Sequence, residues 1–325
     1  MEKKTVDKIS EWVKQYYSSP FKIEVASSDA SFRSYYRITS DDDVKIVMDS
    51  PPDKEPLQPF LDVNKRLLEA KINVPIIYEV NESSGLVLMS DLGKIKYLDA
   101  LNNETVFCLY TDAMDVIDVM QKNVNTSELS NFDKQEQASE LGLFKKWFLK
   151  THLNIDEATI ISVNLDEAFN VLLDNITKIP TTFIHRDFHS RNLMLTKTNN
   201  PGVLDYQDAM IGPITYDLVS LLKDCYINWN EELIKDMSKS FYTKIKDQHS
   251  SSSFEEFIYW LDITGVQRHL KAIGIFSRLK YRDNKPSYME DIKRTFGYID
   301  NIINKYPDMQ LIKKAFDILD IKGRL

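Results

Sequence analysis

The chain has 325 residues, 43% hydrophobic and 11% aromatic, enough for a packed core in one large domain or two ordinary ones and too much for a disordered chain. Its 41 basic and 49 acidic residues are interleaved and leave a formal charge of −8, which speaks against a protein built to neutralise a nucleic-acid backbone. No apolar run approaches the roughly 18 residues of a membrane span, the first residues lack the apolar core of a signal peptide, and Cys108 and Cys225 stand far apart with no CxxC pair or Cys/His cluster. A cytoplasmic protein with no nucleic-acid, membrane or obligate protein partner is therefore expected.

In chain order, Ile9, Trp12, Val13 and Tyr16 form the apolar face of an opening helix. Residues 21–26 and 35–39 alternate like strands, and between them lies a small polar stretch, Ser27, Ser28, Asp29, Ala30 and Ser31. An acidic turn at 41–43 leads into a third strand at 44–48. Pro51, Pro52 and Pro56 then break the chain ahead of a helix carrying Phe60, Val63, Leu67 and Leu68. Two more strands, 76–80 and 86–89, are joined by a turn at 81–85. From Tyr97 onward helical spacing dominates, through Leu101, Leu109, Met114 and Ile117 and again over 254–279; residues 250–253 read as an exposed loop. Residues 183–204 interrupt this pattern with two short apolar runs around the turn sequence Asn199-Asn200-Pro201-Gly202. The expected fold class is α+β, with a small antiparallel-sheet lobe over 1–93 and a larger helical lobe over 94–325, the two-lobed outline of a protein kinase.

The segment that carries chemistry is His185-Arg186-Asp187-Phe188-His189-Ser190-Arg191-Asn192, which fits the kinase pattern H-R-D-x-x-x-x-N. Phosphoryl transfer asks a protein for positioning and charge neutralisation more than for covalent work. Asp187 is the candidate to orient an acceptor hydroxyl and take its proton. Asn192 offers a neutral oxygen to magnesium, a hard cation that prefers oxygen ligands. Leu193-Met194-Leu195, the Asn199–Gly202 turn and the run ending at Leu204 read as a hairpin that returns the chain so that Asp205 comes near Asn192. Asp205 then stands where kinases keep a second magnesium ligand, followed here by Tyr206-Gln207. His185 is expected to brace the loop, and Asp217 to cap or anchor the helix that follows.

With Gly212-Pro213-Ile214-Thr215-Tyr216-Asp217-Leu218, this constellation resembles the aminoglycoside phosphotransferase/choline kinase superfamily and, within it, the anomeric N-acetylmuramate/N-acetylglucosamine kinases of cell-wall recycling. Asp29-Ala30-Ser31-Phe32-Arg33, Tyr36-Arg37, Met48-Asp49-Ser50-Pro51-Pro52, Asp91-Leu92-Gly93 and Gln267-Arg268-His269-Leu270-Lys271 extend the likeness from about residue 25 to 300. The resemblance implies ATP and Mg2+ as cofactors, and adenine held by the backbone after Leu88-Met89 near Asp91. It implies phosphates under the loop that contains Ser28, Ala30, Ser31, Phe32 and Arg33. The acceptor it implies is a small amino sugar bound on the helical lobe and released as the 1-phosphate.

Two departures shape the expectations. The phosphate loop holds Ser28, Ala30 and Ser31 where glycines are usual. Met48 occupies the expected place of the third-strand lysine, while Lys45, three residues earlier, points to the opposite face of a strand. The helix offers only Phe60 and Asp62 near the usual glutamate. Arg33 or Arg37 is the candidate replacement cation, Arg33 favoured because a guanidinium suits phosphate; Lys45 is expected at an exposed edge. Acceptor contacts are sought among His189, Arg191, Gln207 and Asp208, beside the catalytic residues. Gln267, Lys271 and Arg278 share a helix face that is either a solvated basic surface or a reader of the muramate carboxylate. Trp229 is either a sugar platform or core. An aminoglycoside or choline-like kinase, and a nucleotide-binding module without catalysis, are the competing readings.

Overall fold

The computed structural model describes residues 2–27, 32–41, 43–247 and 253–325. Helix α1 (Glu2–Val13) precedes strands β1 (Lys22–Ser27), β2 (Ser34–Ser40) and β3 (Asp43–Asp49), helix α2 (Gln58–Glu69), and strands β4 (Ile77–Asn81) and β5 (Leu86–Ser90). Helices α3 (Tyr97–Ala100), α4 (Val106–Asn123), α5 (Lys134–Leu143), α6 (Glu157–Ser162) and α7 (Leu165–Ile176) follow, with a π-helix (Phe144–His152) running on directly from α5. Four short strands come next: β6 (Thr181–Ile184), β7 (Leu193–Met194), β8 (Gly202–Val203) and β9 (Met210–Pro213). The chain ends in α8 (Tyr216–Leu222), α9 (Glu231–Ile245), α10 (Phe254–Tyr281), α11 (Ile292–Ile303) and α12 (Gln310–Ile318). This is the expected α+β kinase-like chain, a five-stranded antiparallel sheet ahead of a largely helical remainder. Among the described residues no helix is long and apolar enough to cross a membrane.

Two compact units divide the chain: Met1–Ile95 with Met194–Asp208, and Lys96–Leu193 with Ala209–Leu325. The hairpin goes with the first unit because its backbone is tied there. Val203 N–H donates to the Asn73 carbonyl (2.7 Å), and Leu195 N–H donates to that of Ile95 (2.8 Å).

In the first unit the sheet order is β1-β2-β3-β5-β4. Ile9 and Val13 of α1 are buried against Tyr36, Ile38, Val47, Leu86 and Leu88, with Trp12 and Tyr16 packed beside them. Strand alternation puts Lys45 and Asp49 on the same face as Val47, toward α1, and Met48 on the other; Lys8 of α1 accordingly reaches the Asp49 carboxylate at 2.7 Å. The turn before β5 needs its glycine. Gly85 has φ +69°, and a Cβ there would lie 1.9 Å from the Ser50 carbonyl oxygen.

The second unit is organised by α10, a 28-residue helix buried on nearly every side, as a helix at the centre of a large helical layer must be. Gly274 allows the close crossing with the α5–π-helix junction, since a Cβ would sit 2.5 Å from the Phe144 backbone nitrogen. Strands β6 and β9 pair antiparallel from Thr181↔Pro213 to Ile184↔Met210. Neither this pair nor the π-helix is anticipated by the sequence pattern. Four-residue strands carry too little periodicity, and a π-turn leaves no distinctive spacing.

Candidate active site

The loop after β6 is held at both ends by buried aspartates. Pairing of β6 with β9 brings the start of α8 beside residue 185, where Asp217 is fully buried. Its Oδ2 accepts from His185 N–H (2.7 Å) and its Oδ1 from Arg186 N–H (3.0 Å), which fixes Arg186 at φ +76°. Asp217 therefore anchors the loop rather than capping its own helix, whose N-cap position is Thr215. Seven residues later Asp224, also buried, accepts from Ser190 N–H and Tyr226 N–H, both at 2.9 Å. Between these clamps, Asn192 Nδ2 donates to the Asp187 carbonyl (3.0 Å), and Asp187 N–H donates to His185 Nδ1 (3.3 Å). His185 is a brace: it has no exposed surface, and its ring meets Phe188 edge-on at 5.6 Å.

Burial pushes the Asp187 carboxyl up, but Lys271, His189, Arg268 and Arg186 outweigh it and hold the group well below the usual carboxylate range. Two of these side chains, Arg186 and Lys271, are themselves arranged by Glu140 of α5. One of its oxygens pairs with Arg186 and with Lys271 Nζ (3.3 Å), and the other accepts from Gln267 Nε2 (2.9 Å). Lys271 Nζ lies 3.4 Å from the Tyr216 hydroxyl as well. Gln267 and Lys271 are thus buried and Arg278 half-buried, so the solvated basic face considered from spacing is not what forms. Spacing along α10 could not reveal a carboxylate 127 residues away from Gln267. Glu140 and Asp224 were both missed for that reason: a single acid outside a motif carries no signal.

Against Asp187 opens a cavity with about 400 Å³ of empty space, open solvent at its mouth included. The loop and the segment after α8 supply His189, Cys225 and Tyr226; α10 supplies Arg268, Lys271, Ile275 and Phe276. His189 meets Tyr226 edge-on at 5.2 Å, and burial first of all lowers its pKa. Arg191 lays its guanidinium 3.7 Å from the centre of the Tyr226 ring, within 5.3 Å of Tyr288. Arg278 is absent from the cavity lining. Trp229 donates its indole N–H to Tyr110 Oη (3.0 Å), as a structural tryptophan does.

The remaining candidates belong to the first unit. Asp205 is exposed, at φ +64°, and accepts from Gln207 Nε2 (2.8 Å); Asp208 is exposed. Tyr206 is buried, stacked on Phe60 at 5.0 Å, and its hydroxyl accepts from Asn64 Nδ2 (2.8 Å). Arg33 is buried, with Nε 3.1 Å from Glu55 and its guanidinium 5.8 Å from the Phe60 ring centre. An Arg–Glu pair with a buried arginine thus exists in a unit whose third strand offers only Met48, and its glutamate comes from ahead of α2. Lys45 is not at an open edge: it is half-buried between the Tyr17 and Tyr78 rings and paired with Asp43. Phe32 is exposed, its N–H donating to Glu55 (3.1 Å). Met89 is buried, Ser90 N–H donates to Ile76 (2.9 Å), and Arg37 grips the Asp91 carboxylate at 2.6 and 3.1 Å. Ser28, Ala30 and Ser31 lie outside the described residues.

A five-stranded antiparallel sheet ahead of a helical unit, with an H-R-D-x-x-x-x-N loop clamped beside a cavity, defines a kinase. Residues 22–243 match the Phosphotransferase enzyme family, and the chain belongs to that family. It is 37% identical, over 89% of its length and 86% of the relative's, to an N-acetylmuramate/N-acetylglucosamine kinase of Pseudomonas aeruginosa. A protein of the same name from Neisseria meningitidis is also 37% identical, over 93% of this chain and 92% of that one. Among solved structures the fold is similar to choline kinase from Streptococcus pneumoniae (TM-score 0.65, 10% identity, 91% of this chain and 99% of that one). It is likewise similar to an ADP-bound aminoglycoside phosphotransferase (TM-score 0.61, 15% identity, 91% and 98%).

Proposed function

We propose that this kinase transfers the γ-phosphoryl group of ATP to the anomeric hydroxyl of N-acetylmuramate and N-acetylglucosamine, in the cytoplasmic recycling of cell-wall sugars. The observation that carries the reading is the cavity against Asp187, with Arg268, Lys271 and His189 in a wall that also holds Tyr226 and Phe276. Aromatic faces suit a pyranose ring, and the cations suit an acidic sugar. A polycationic aminoglycoside or a choline would meet like charges there. The names of the relatives agree with this choice.

In this mechanism Asp187 stays ionised under its ring of cations and accepts the proton of the acceptor hydroxyl. The hydroxyl oxygen bonds to the γ-phosphorus as the bond to the departing ADP oxygen breaks, and Asp187 afterwards returns the proton to solvent. Arg33, paired with Glu55, is assigned to the nucleotide phosphates, together with Ser28, Ala30, Ser31 and Phe32. The backbone after Met89, near Asp91, is assigned to adenine.

The donors available for magnesium fit that ion. Asn192, through its amide oxygen, and Asp205, through its carboxylate, would be the ligands, each offering the oxygen donor that a hard cation prefers. Among the described residues no three His, Cys, Asp or Glu side chains form a metal cage. Magnesium bound through one or two protein oxygens and substrate phosphates requires none. Bound there, it would neutralise phosphate charge.

The test of regiochemistry is the methyl glycoside of N-acetylglucosamine, which has no free anomeric hydroxyl. It should not be phosphorylated, while the free sugar yields a product whose phosphorus couples to the anomeric proton. Efficient turnover of the glycoside would refute the anomeric assignment.

A further inference from the structure

The cations around the cavity differ in how their charge is met. Lys271 and Arg186 share Glu140, and Arg191 stacks on Tyr226 with Asp291 at 4.0 Å. Arg268 is different. It is 5% exposed, its single hydrogen bond runs from Nη1 to Cys225 Sγ at 3.7 Å, and its Nε has no hydrogen-bond partner. Among the described residues no carboxylate oxygen forms an ion pair with it; Asp187 and Asp224 act on its charge only at longer range. The other buried, unpartnered polar atom in the same cavity wall is Nδ1 of His189.

A buried guanidinium without an anionic partner is unfavourable, because desolvation of the charge is not offset. The cost is recovered when a ligand brings the missing anion, and the place of Arg268 in the wall of an open cavity lets a ligand do so. Its planar fork suits a carboxylate, which it can bind through two parallel hydrogen bonds. Lys271 is less suited, being committed to Glu140 and close to the Tyr216 hydroxyl. Arg278 is outside the lining altogether.

We propose that Arg268, with His189 beside it in the cavity wall, is the specificity-determining site for a carboxylate carried by the acceptor sugar. The inference rests on the amino-sugar reading above: the lactyl ether carboxylate is the group that N-acetylmuramate has and N-acetylglucosamine lacks. The transferring phosphoryl group is the other anion that could enter this wall, and the two sources separate kinetically. A carboxylate site acts on one sugar, whereas a phosphoryl site acts on both alike.

The first arm uses the wild-type protein. N-acetylmuramate should bind ten- to a hundredfold more tightly than its neutral lactyl carboxamide, the usual size of a charge-assisted contact. Equal binding overturns the proposal. The second arm compares Arg268→Met with wild type on both sugars. Whatever the substitution costs with N-acetylglucosamine, the rise in KM with N-acetylmuramate should exceed it by ten- to a hundredfold, with Arg268→Lys in between. A matched loss of kcat on both sugars would assign Arg268 to the phosphoryl group and overturn the carboxylate site. Wild type that phosphorylates neither sugar would instead defeat the amino-sugar reading. Calorimetric titration of N-acetylmuramate into nucleotide-free wild type and Arg268→Met still decides the role of Arg268 in that case, equal affinities counting against it. Should Arg268→Met fail to fold, the carboxamide comparison decides alone.

Discussion

Replacing Glu140 by Gln would test the charge arrangement under Asp187 without changing its shape. Glu140 is buried, one oxygen serves both Arg186 and Lys271, and the other serves Gln267. Removing one partner of a buried ion pair typically costs about 3–5 kcal/mol. Two cations lose their counter-charge here while Asp187 still acts on both, so about 4 kcal/mol is expected. At about 2–4 °C per kcal/mol for a unit of this size, Tm should fall by about 8–16 °C. The pH dependence gives a second signature. In the wild type, burial lowers the Lys271 pKa, but Glu140, Tyr216 and Asp187 outweigh it and raise it. A raised lysine stabilises fully below its unfolded pKa, about 10.4, and loses that contribution only at more alkaline pH. Lys271 thus adds no pH dependence between 7 and 10. In Glu140→Gln, burial, the largest influence on Lys271, is expected to outweigh Tyr216 and Asp187, so that the folded-state pKa drops below the unfolded one and stability rises with pH. Calorimetric melts from pH 7 to 10 should show the gap to wild type narrowing. A Tm within 2 °C of wild type, or a gap independent of pH, would refute the reasoning.

Asp187→Asn should lower turnover by about 10²–10⁴-fold while ATP affinity stays close to wild type; single-turnover rates and nucleotide titration check it, and normal turnover would remove Asp187 as the base. Arg33→Met should raise the KM for ATP more than Lys45→Met does, because Arg33 is buried beside Phe60 and Tyr206 whereas Lys45 sits on the α1 face; the reverse order would restore the ordinary strand lysine. Burial pushes Asp217 up to about 7 against the pull of its two backbone N–H bonds, so turnover should fall as pH drops through about 7 and that anchor protonates. The sign for stability is opposite. A carboxyl with a raised folded pKa is least costly to the fold when protonated, so this group does not drive unfolding at acid pH. Asp217→Asn should remove the acid limb of the profile along with most activity, and persistence of the limb would assign it elsewhere.

Much of the first unit was legible because its strands alternate and its breaks are prolines and a glycine: β1, β2, β3 and β5 fall within a residue or two of the pattern, and α1 buries Ile9 and Val13 as spaced. The loop at 185–192 was legible because its chemistry fixes residue types at fixed offsets. What holds that loop was harder to read. Asp217 showed itself only as a helix-start carboxylate, since its partners are backbone amides 31 and 32 residues away. Glu140 and Asp224 are acids whose meaning lies wholly in tertiary contacts. Gln267 and Lys271 read as surface because a polar face on a helix usually is surface; here a buried glutamate turns it inward. Met48 was read as the gap in the usual kinase pairing. The Arg33–Glu55 pair lies across segments with no periodic relation, so only the folded chain reveals it.

The measurement that bears most directly on the central claim is magnesium-dependent ATP consumption by the purified protein across N-acetylmuramate, N-acetylglucosamine, an aminoglycoside and choline, with products identified by phosphorus NMR. Turnover confined to the two N-acetylated sugars, giving 1-phosphates and dependent on Asp187, is the predicted result. Phosphorylation of the aminoglycoside or choline in preference to the sugars, or no consumption of ATP with any acceptor, would contradict it.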